Sequence, residues 1–227
     1  ASGSATYTTP TLTVNTTYTL VSAATTTAPI CVNPQTTTAT VTVTPLPTAT
    51  ISGTATICSG STSVITFAGT AGATVTYTIN AGANQTVTLD ASGNATVTTP
   101  ALTADSTYDL VSVALLTCGQ PQVGSAVVTV LPLPTATISG TTTICSGTTA
   151  TITFAGTPDA TIIYTIDGGA NQTVTLDATG NATVTTPTLT TASTYALVSV
   201  ASLSTPVCTV NLTGTAVISI QALPTVT

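Results

Sequence analysis

Pro47-Thr-Ala-Thr-Ile-Ser-Gly53 and, four residues on, Ile57-Cys-Ser-Gly60 return letter for letter as Pro134-Thr-Ala-Thr-Ile-Ser-Gly140 and Ile144-Cys-Ser-Gly147. Ala83-Asn-Gln-Thr-Val-Thr-Leu-Asp90 returns as Ala170-Asn-Gln-Thr-Val-Thr-Leu-Asp177, and each match is offset by 87 positions. Identity at a fixed long period is the mark of an array of like units. Pro224-Thr225 reopens the motif 90 positions after Pro134, while Thr9-Pro10 matches Thr99-Pro100 and Tyr18 matches Tyr108. The expected division is the C-terminal part of a unit at 1–46, complete units at 47–133 and 134–223, and the start of another at 224–227. The chain opens on Ala1 with no Met and no signal peptide, so it reads as a mature or excised piece of a longer array.

Within the unit 47–133 the periodicity is that of short strands. Expected strands are 48–51, 54–57, 63–68, 74–79, 85–89, 95–98, 108–114 and 126–131. Most alternate with period two, Val, Ile, Leu, Phe and Tyr on one face and Thr and Ser on the other. Gly60, Gly69, Gly82 and Gly93 punctuate them, and Leu89 to Asn94 reads as a tight hairpin with Gly93 at its positive φ. That many short strands in under 90 residues predicts an all-β fold, an immunoglobulin-like β-sandwich repeated end to end. A solenoid repeat would be shorter and would need fewer turns. Leu131-Pro-Leu-Pro134 and Thr44-Pro-Leu-Pro47 join the units. Proline fixes φ and disfavours helix before it, so these joints should be extended and stiff.

One local pattern sharpens the fold. Leu102 stands six residues before Tyr108, which opens an alternating strand, and the spacing repeats at Leu12/Tyr18 and Leu189/Tyr195. It resembles the tyrosine corner of sandwich domains, in which the phenol bonds back to upstream backbone.

Composition removes most chemistry. The chain has no Lys, Arg, His, Glu, Met or Trp, and its net charge of -6 comes from Asp90, Asp105, Asp109, Asp159, Asp167 and Asp177. Asp is the only ordinary general base left, and neither a Ser-His nor a Cys-His pair can exist. The chain therefore reads as non-catalytic and without a cofactor. With no cations there is nothing to neutralise phosphates, so neither nucleic acid nor an anionic lipid surface is an expected partner. Mean hydropathy is positive at +0.55, yet no apolar run approaches the roughly 20 residues a spanning helix needs. A membrane barrel would carry aromatic girdles, and only 4% of the chain is aromatic. No metal site is expected, calcium included, because the Asp residues are scattered and Asp90 and Asp177 fit turn positions. Tyr and Phe recur at core-like positions. Tyr7 has no aromatic equivalent, but Val97 and Val184 in its place also point to core.

The cysteines are Cys31, Cys58, Cys118, Cys145 and Cys208, with Cys31 aligned to Cys118. Without His or close pairs they do not form a zinc site, and without a cation none is activated as a thiolate. Disulfides are the expectation. Two pairings are open. Cys58 could bond Cys118 and Cys145 could bond Cys208, within units, leaving Cys31 to a partner upstream. Against this, Cys58 should lie at one pole of a sandwich roughly 30 Å long and Cys118 at the other, whereas bridged Cα atoms sit within about 7 Å. The alternative bridges neighbours, Cys58 to Cys208, and leaves Cys31, Cys118 and Cys145 to domains outside the segment. Six Asn-x-Thr sequons, at Asn15, Asn84, Asn94, Asn171, Asn181 and Asn211, arise easily in so Thr-rich a chain. Asp105-Ser106-Thr107 fits a short bacterial O-glycosylation pattern centred on Ser106.

Together these pieces resemble the Thr-rich Ig-like or PKD-like repeats of giant Bacteroidota surface proteins. The matching pieces are Thr-Ile-Ser-Gly followed by Ile-Cys-Ser-Gly, the Tyr-x-Leu-Val-Ser-Val strand, the loop Cys after it and the Val-Thr-Val-Leu-Pro exit. That family includes gliding-motility adhesins of the SprB kind. The resemblance implies export by the type IX secretion system and display on the outer surface of a bacterial cell. The partners it implies are neighbouring repeats, with surface polysaccharide or other cells bound through domains elsewhere. Two other roles fit the same residues: a laterally associating sheath or surface layer, and a spacer or carbohydrate-binding module of a secreted enzyme.

Overall fold

A computed structural model describes residues 3–224. The expected opening of a further unit at 224–227 therefore lies, beyond Pro224, outside the described residues. All regular structure among the described residues is β. Residues 3–46 hold four short strands, β1 (Thr16–Thr19), β2 (Ser22–Ala24), β3 (Val32–Pro34) and β4 (Thr38–Val41). They pair antiparallel as β1 with β4 and β2 with β3.

The next stretch contains β5 (Ala49–Ser52), β6 (Ala55–Cys58), β7 (Val64–Gly69), β8 (Thr74–Ile79), β9 (Gln85–Thr88), β10 (Asn94–Thr98), β11 (Ser106–Leu115), β12 (Cys118–Pro121) and β13 (Ser125–Leu131). One sheet runs β10-β7-β5 and the facing sheet β6-β13-β11-β8-β9, with β12 also on β11. The same plan follows in β14 (Ala136–Ser139), β15 (Thr142–Cys145), β16 (Thr151–Gly156), β17 (Thr161–Ile166), β18 (Gln172–Thr175), β19 (Asn181–Thr185), β20 (Ser193–Ala201), β21 (Thr209–Asn211) and β22 (Thr215–Gln221). Each of these stretches is thus an immunoglobulin-like sandwich, and the two stand in tandem.

The alternation sets the core. Ile65, Phe67, Val75, Tyr77, Leu89, Tyr108, Val113 and Val128 close one sandwich, and Ile152, Phe154, Ile162, Tyr164, Leu176, Tyr195, Val200 and Ile218 the other. Intervening Thr and Ser face outward, several bonding the adjacent strand's carbonyls, as Thr50 does at Ala68 and Thr137 at Ala155. With no cationic side chain, cohesion comes from burial and hydrogen bonds. No buried side-chain polar atom among the described residues lacks a partner.

Two turns depend on glycine. At Gly53, φ is 115° and a Cβ would meet the Val64 carbonyl, so only glycine fits. There the chain leaves the first sheet as β5 and enters the second as β6. At Gly93, φ is 78° and a Cβ would strike the Gly69 carbonyl. The expected hairpin over 89–94 is corrected here. The turn is tight, but β9 pairs β8 while β10 pairs β7, so it crosses between sheets. The reason is that the edges of β8 and β7 lie on opposite faces of the core, and each takes one of the two strands.

Two strands escape the sequence pattern. β12 and β21 carry Gly, Pro and Asn rather than alternating apolar residues, yet they pair with the upper halves of β11 and β20. Ser106 is also corrected as a glycosylation candidate. It is 3% exposed in β11 opposite Val128, where a folded unit has no room for a sugar. Asp105 next to it accepts a 2.7 Å bond from the Val130 amide.

Tyr108 and Tyr195 are each 1% exposed, and Tyr18 is half-buried. Tyr108 stacks on Tyr77 with ring centroids 6.4 Å apart, and Tyr77 meets Phe67 at 4.9 Å. No hydrogen bond from a tyrosine phenol occurs among the described residues, so this position is a packed ring without the backbone bond of a tyrosine corner. Tyr108→Ala should cost about 3–5 kcal/mol as a core deletion, and Tyr108→Phe less than about 0.5 kcal/mol. Chemical denaturation of the two variants measures both.

Asp90 Oδ1 accepts from the Ser92 hydroxyl at 2.6 Å, the Ser92 amide at 2.8 Å and the Asn94 amide at 2.9 Å. These bonds, the Ser92 hydroxyl foremost, hold its carboxyl below the usual carboxylate range. Asp177 repeats the cap with Thr179 in the lead. Because the folded value lies below the unfolded one, this stabilisation is complete above about pH 4 and is lost as pH falls through the lowered value. Urea midpoints should therefore drop on acidification from about pH 5 to about pH 2, and Asp90→Asn with Asp177→Asn should flatten that drop.

Candidate functional site: the joint between the sandwiches

The parallel ladder of β6 on β13 sets Cys58 opposite Leu131. Just past it, the Ser59 amide bonds the Leu131 carbonyl at 2.8 Å and the Gly60 amide bonds the Leu102 carbonyl at 2.8 Å. The Cys58 thiol is thereby fixed at the pole where the chain leaves this sandwich. From Leu131 the chain passes through Pro132, Leu133 and Pro134 into β14, a connection too short and too restricted in φ to hold the next sandwich far away.

Across the joint lies the loop that links β20 to β21. It is closed by the Ser202 amide on the Cys208 carbonyl at 2.9 Å and by the Cys208 amide on the Ser202 hydroxyl at 2.9 Å. Ser202 and Ser204 share a hydroxyl bond of 2.6 Å, and the Thr205–Pro206 peptide is cis. The loop presents Cys208, itself wholly buried, to Cys58. The two form a disulfide with Cα atoms 5.6 Å apart and a sequence separation of 150. A cleft beside it is lined by Pro132, Leu133, Pro134, Pro158, Leu203 and Ser204.

The structure brings together only these two of the five cysteines. Cys31 and Cys145 are free and exposed, and Cys118 is free and half-buried. Cys58 with Cys118, and Cys145 with Cys208, are not bonded. Cys118 pairs with Leu115 at the hairpin end of its sandwich and Cys58 with Leu131 at the other end, which keeps them a sandwich length apart. Tyr7 departs from the core position expected for it. It is 73% exposed and leans on Tyr18 with centroids 5.7 Å apart.

No three of the Asp and Cys residues cluster in a way that could hold a metal ion among the described residues. No described helix is long and apolar enough to cross a membrane. The covalent chemistry that the described residues of the joint offer is the forming and breaking of a disulfide.

No protein family and no curated protein matches the sequence. Among solved structures, a marsupial T cell receptor superposes with a TM-score of 0.50 at 12% identity, over 79% of this chain and 75% of that one. The titin I-band fragment I67-I69 gives 0.49 at 13% identity, over 79% and 67%. The Yersinia pseudotuberculosis adhesin InvE gives 0.28 at 20% identity, over 74% and 58%. The receptor likeness is one of fold, and it agrees with the sheet topology: the chain is built of tandem immunoglobulin-like β-sandwich domains.

Reducing the bridge should lower stability. Cross-linking restricts the unfolded chain, and for a loop this long the chain-entropy argument gives about 5 kcal/mol. Denaturation with and without a phosphine reductant, repeated on Cys58→Ser, measures the loss, and an unchanged midpoint would refute that argument.

Proposed function

We propose that this chain is a repeat segment of the stalk of a large bacterial surface adhesin or motility filament. The observation that carries the reading is the Cys58–Cys208 bridge across the joint. A cross-link between adjoining domains, with no chemistry gathered around it, serves to hold the domains in line. Disulfides persist in oxidising surroundings, which supports an extracellular place. In this reading the domains supply reach and tensile strength, and attachment to polysaccharide or to other cells belongs to domains elsewhere in the array. Export by the type IX route and a role in gliding follow from the family resemblance.

The absence of Lys and Arg fits an exposed fibre, because trypsin-like proteases find no cleavage site. The same lack of charge supports a second reading. Thr-rich faces with little mutual repulsion suit side-by-side packing in a sheath or surface layer. Cryo-electron microscopy of intact cells, or of material sheared from them, separates the two. Isolated strings with a domain repeat of roughly 40 Å, about one sandwich length and its linker, are the expected result. A lateral lattice or multi-chain tube would replace the stalk with the sheath.

A further inference from the structure

The bridge joins an early residue of one sandwich to a late residue of the next. Everything from Ser59 to Val207 lies inside the loop that it closes. That interval holds β7 through β20 and most of both cores.

The residues left outside trace a direct line. Pro47 sits at the hairpin pole of its sandwich, where its carbonyl accepts a 2.7 Å bond from the Gln120 side chain. From there β5 and β6 run the length of the sandwich to Cys58, at the opposite pole. The path crosses the disulfide to Cys208, at the hairpin pole of the next sandwich, and β21 and β22 carry it to Gln221 at the far end. Both runs are mostly strand, which at about 3.3 Å per residue is already near the 3.3–3.6 Å limit of a taut chain.

We propose that the disulfide is a strain limiter, giving the pair of domains a covalent path that is almost fully extended in the folded state. Tension applied to the chain ends loads β5, β6, β21 and β22 and bypasses the fourteen strands between them. Slack in the path is on the order of 10 Å per domain, whereas the enclosed loop, if opened, would release roughly 500 Å. Unfolding either core therefore adds almost no length. The use of such a limiter to a cell rests on the stalk reading, while its mechanics rest on the bridge alone.

The test is single-molecule pulling of the 227-residue chain through tags at its two termini, oxidised, reduced with a phosphine, and as the Cys58→Ser, Cys208→Ser double variant. The oxidised chain should lengthen only by what residues 1–46 and the strand ends give. The reduced and variant chains should reach a final length greater by roughly 400–500 Å, whether or not they refold and unfold in steps. An oxidised chain that lengthens as the reduced one does would overturn the proposal. So would a reduced chain that stays as short as the oxidised one. Either failure would leave the imaging of filaments on cells to judge the stalk independently.

Discussion

The parallel pairing of β6 with β13 is the contact on which the architecture turns. Antiparallel hairpins can join neighbours in sequence, but this ladder joins the beginning of a sandwich to its end and closes the second sheet. It requires the first strand to change sheets, which requires the glycine-only backbone at Gly53, where the strand shifts across without reversing. It also fixes where Cys58 finishes. Slipping the register by one residue would move every side chain of β6 to the other face and carry the thiol away from the joint.

Much of this was legible. Alternation of β-branched residues with Thr marked eight of the nine strands in the sandwich formed by β5 to β13, because burial on one face and solvent on the other impose the period of two. The recurrence of Ile57-Cys-Ser-Gly60 marked the array. The distance between the two poles raised the pairing of Cys58 with Cys208 slightly above the bonds within units and left both open, until the structure showed the bridge between neighbours. Other features were not legible, each for a physical reason. β12 and β21 are short and rest mainly on backbone pairing, with Gln120 bonding the Pro47 carbonyl and Val210 at the edge of the core, so no run of alternating apolar residues marks them. Gly93 looks like a hairpin glycine, and only the partners of the flanking strands show that it carries the chain from one sheet to the other. Ser106 resembles an exposed turn residue in sequence, but opposite Val128 it points into the sandwich. Tyr7 follows a core pattern in sequence, yet its ring is exposed and touches Tyr18.

The two sandwiches also show how a narrow alphabet is enough for a specific fold. Their cores repeat the same pair of rings, Phe67 with Tyr77 and Phe154 with Tyr164, at 4.9 and 5.0 Å. Around them small and branched aliphatic side chains complete each core. Turn chemistry is handled by Asp, Ser, Thr and Gly, and the two caps at Asp90 and Asp177 match bond for bond. The loop between β20 and β21 shares its closure with the one between β2 and β3, where the Cys31 amide bonds the Thr25 hydroxyl at 2.9 Å and the Ala28–Pro29 peptide is also cis.

A fold assembled without a single cationic side chain has no ion pairs for dissolved salt to weaken. Its cohesion resides in dry contacts and short hydrogen bonds, which mobile ions scarcely screen. The segment's stability should therefore change little between dilute and salty water, while its disulfide and its two Asp caps make it answer to oxidation state and acidity.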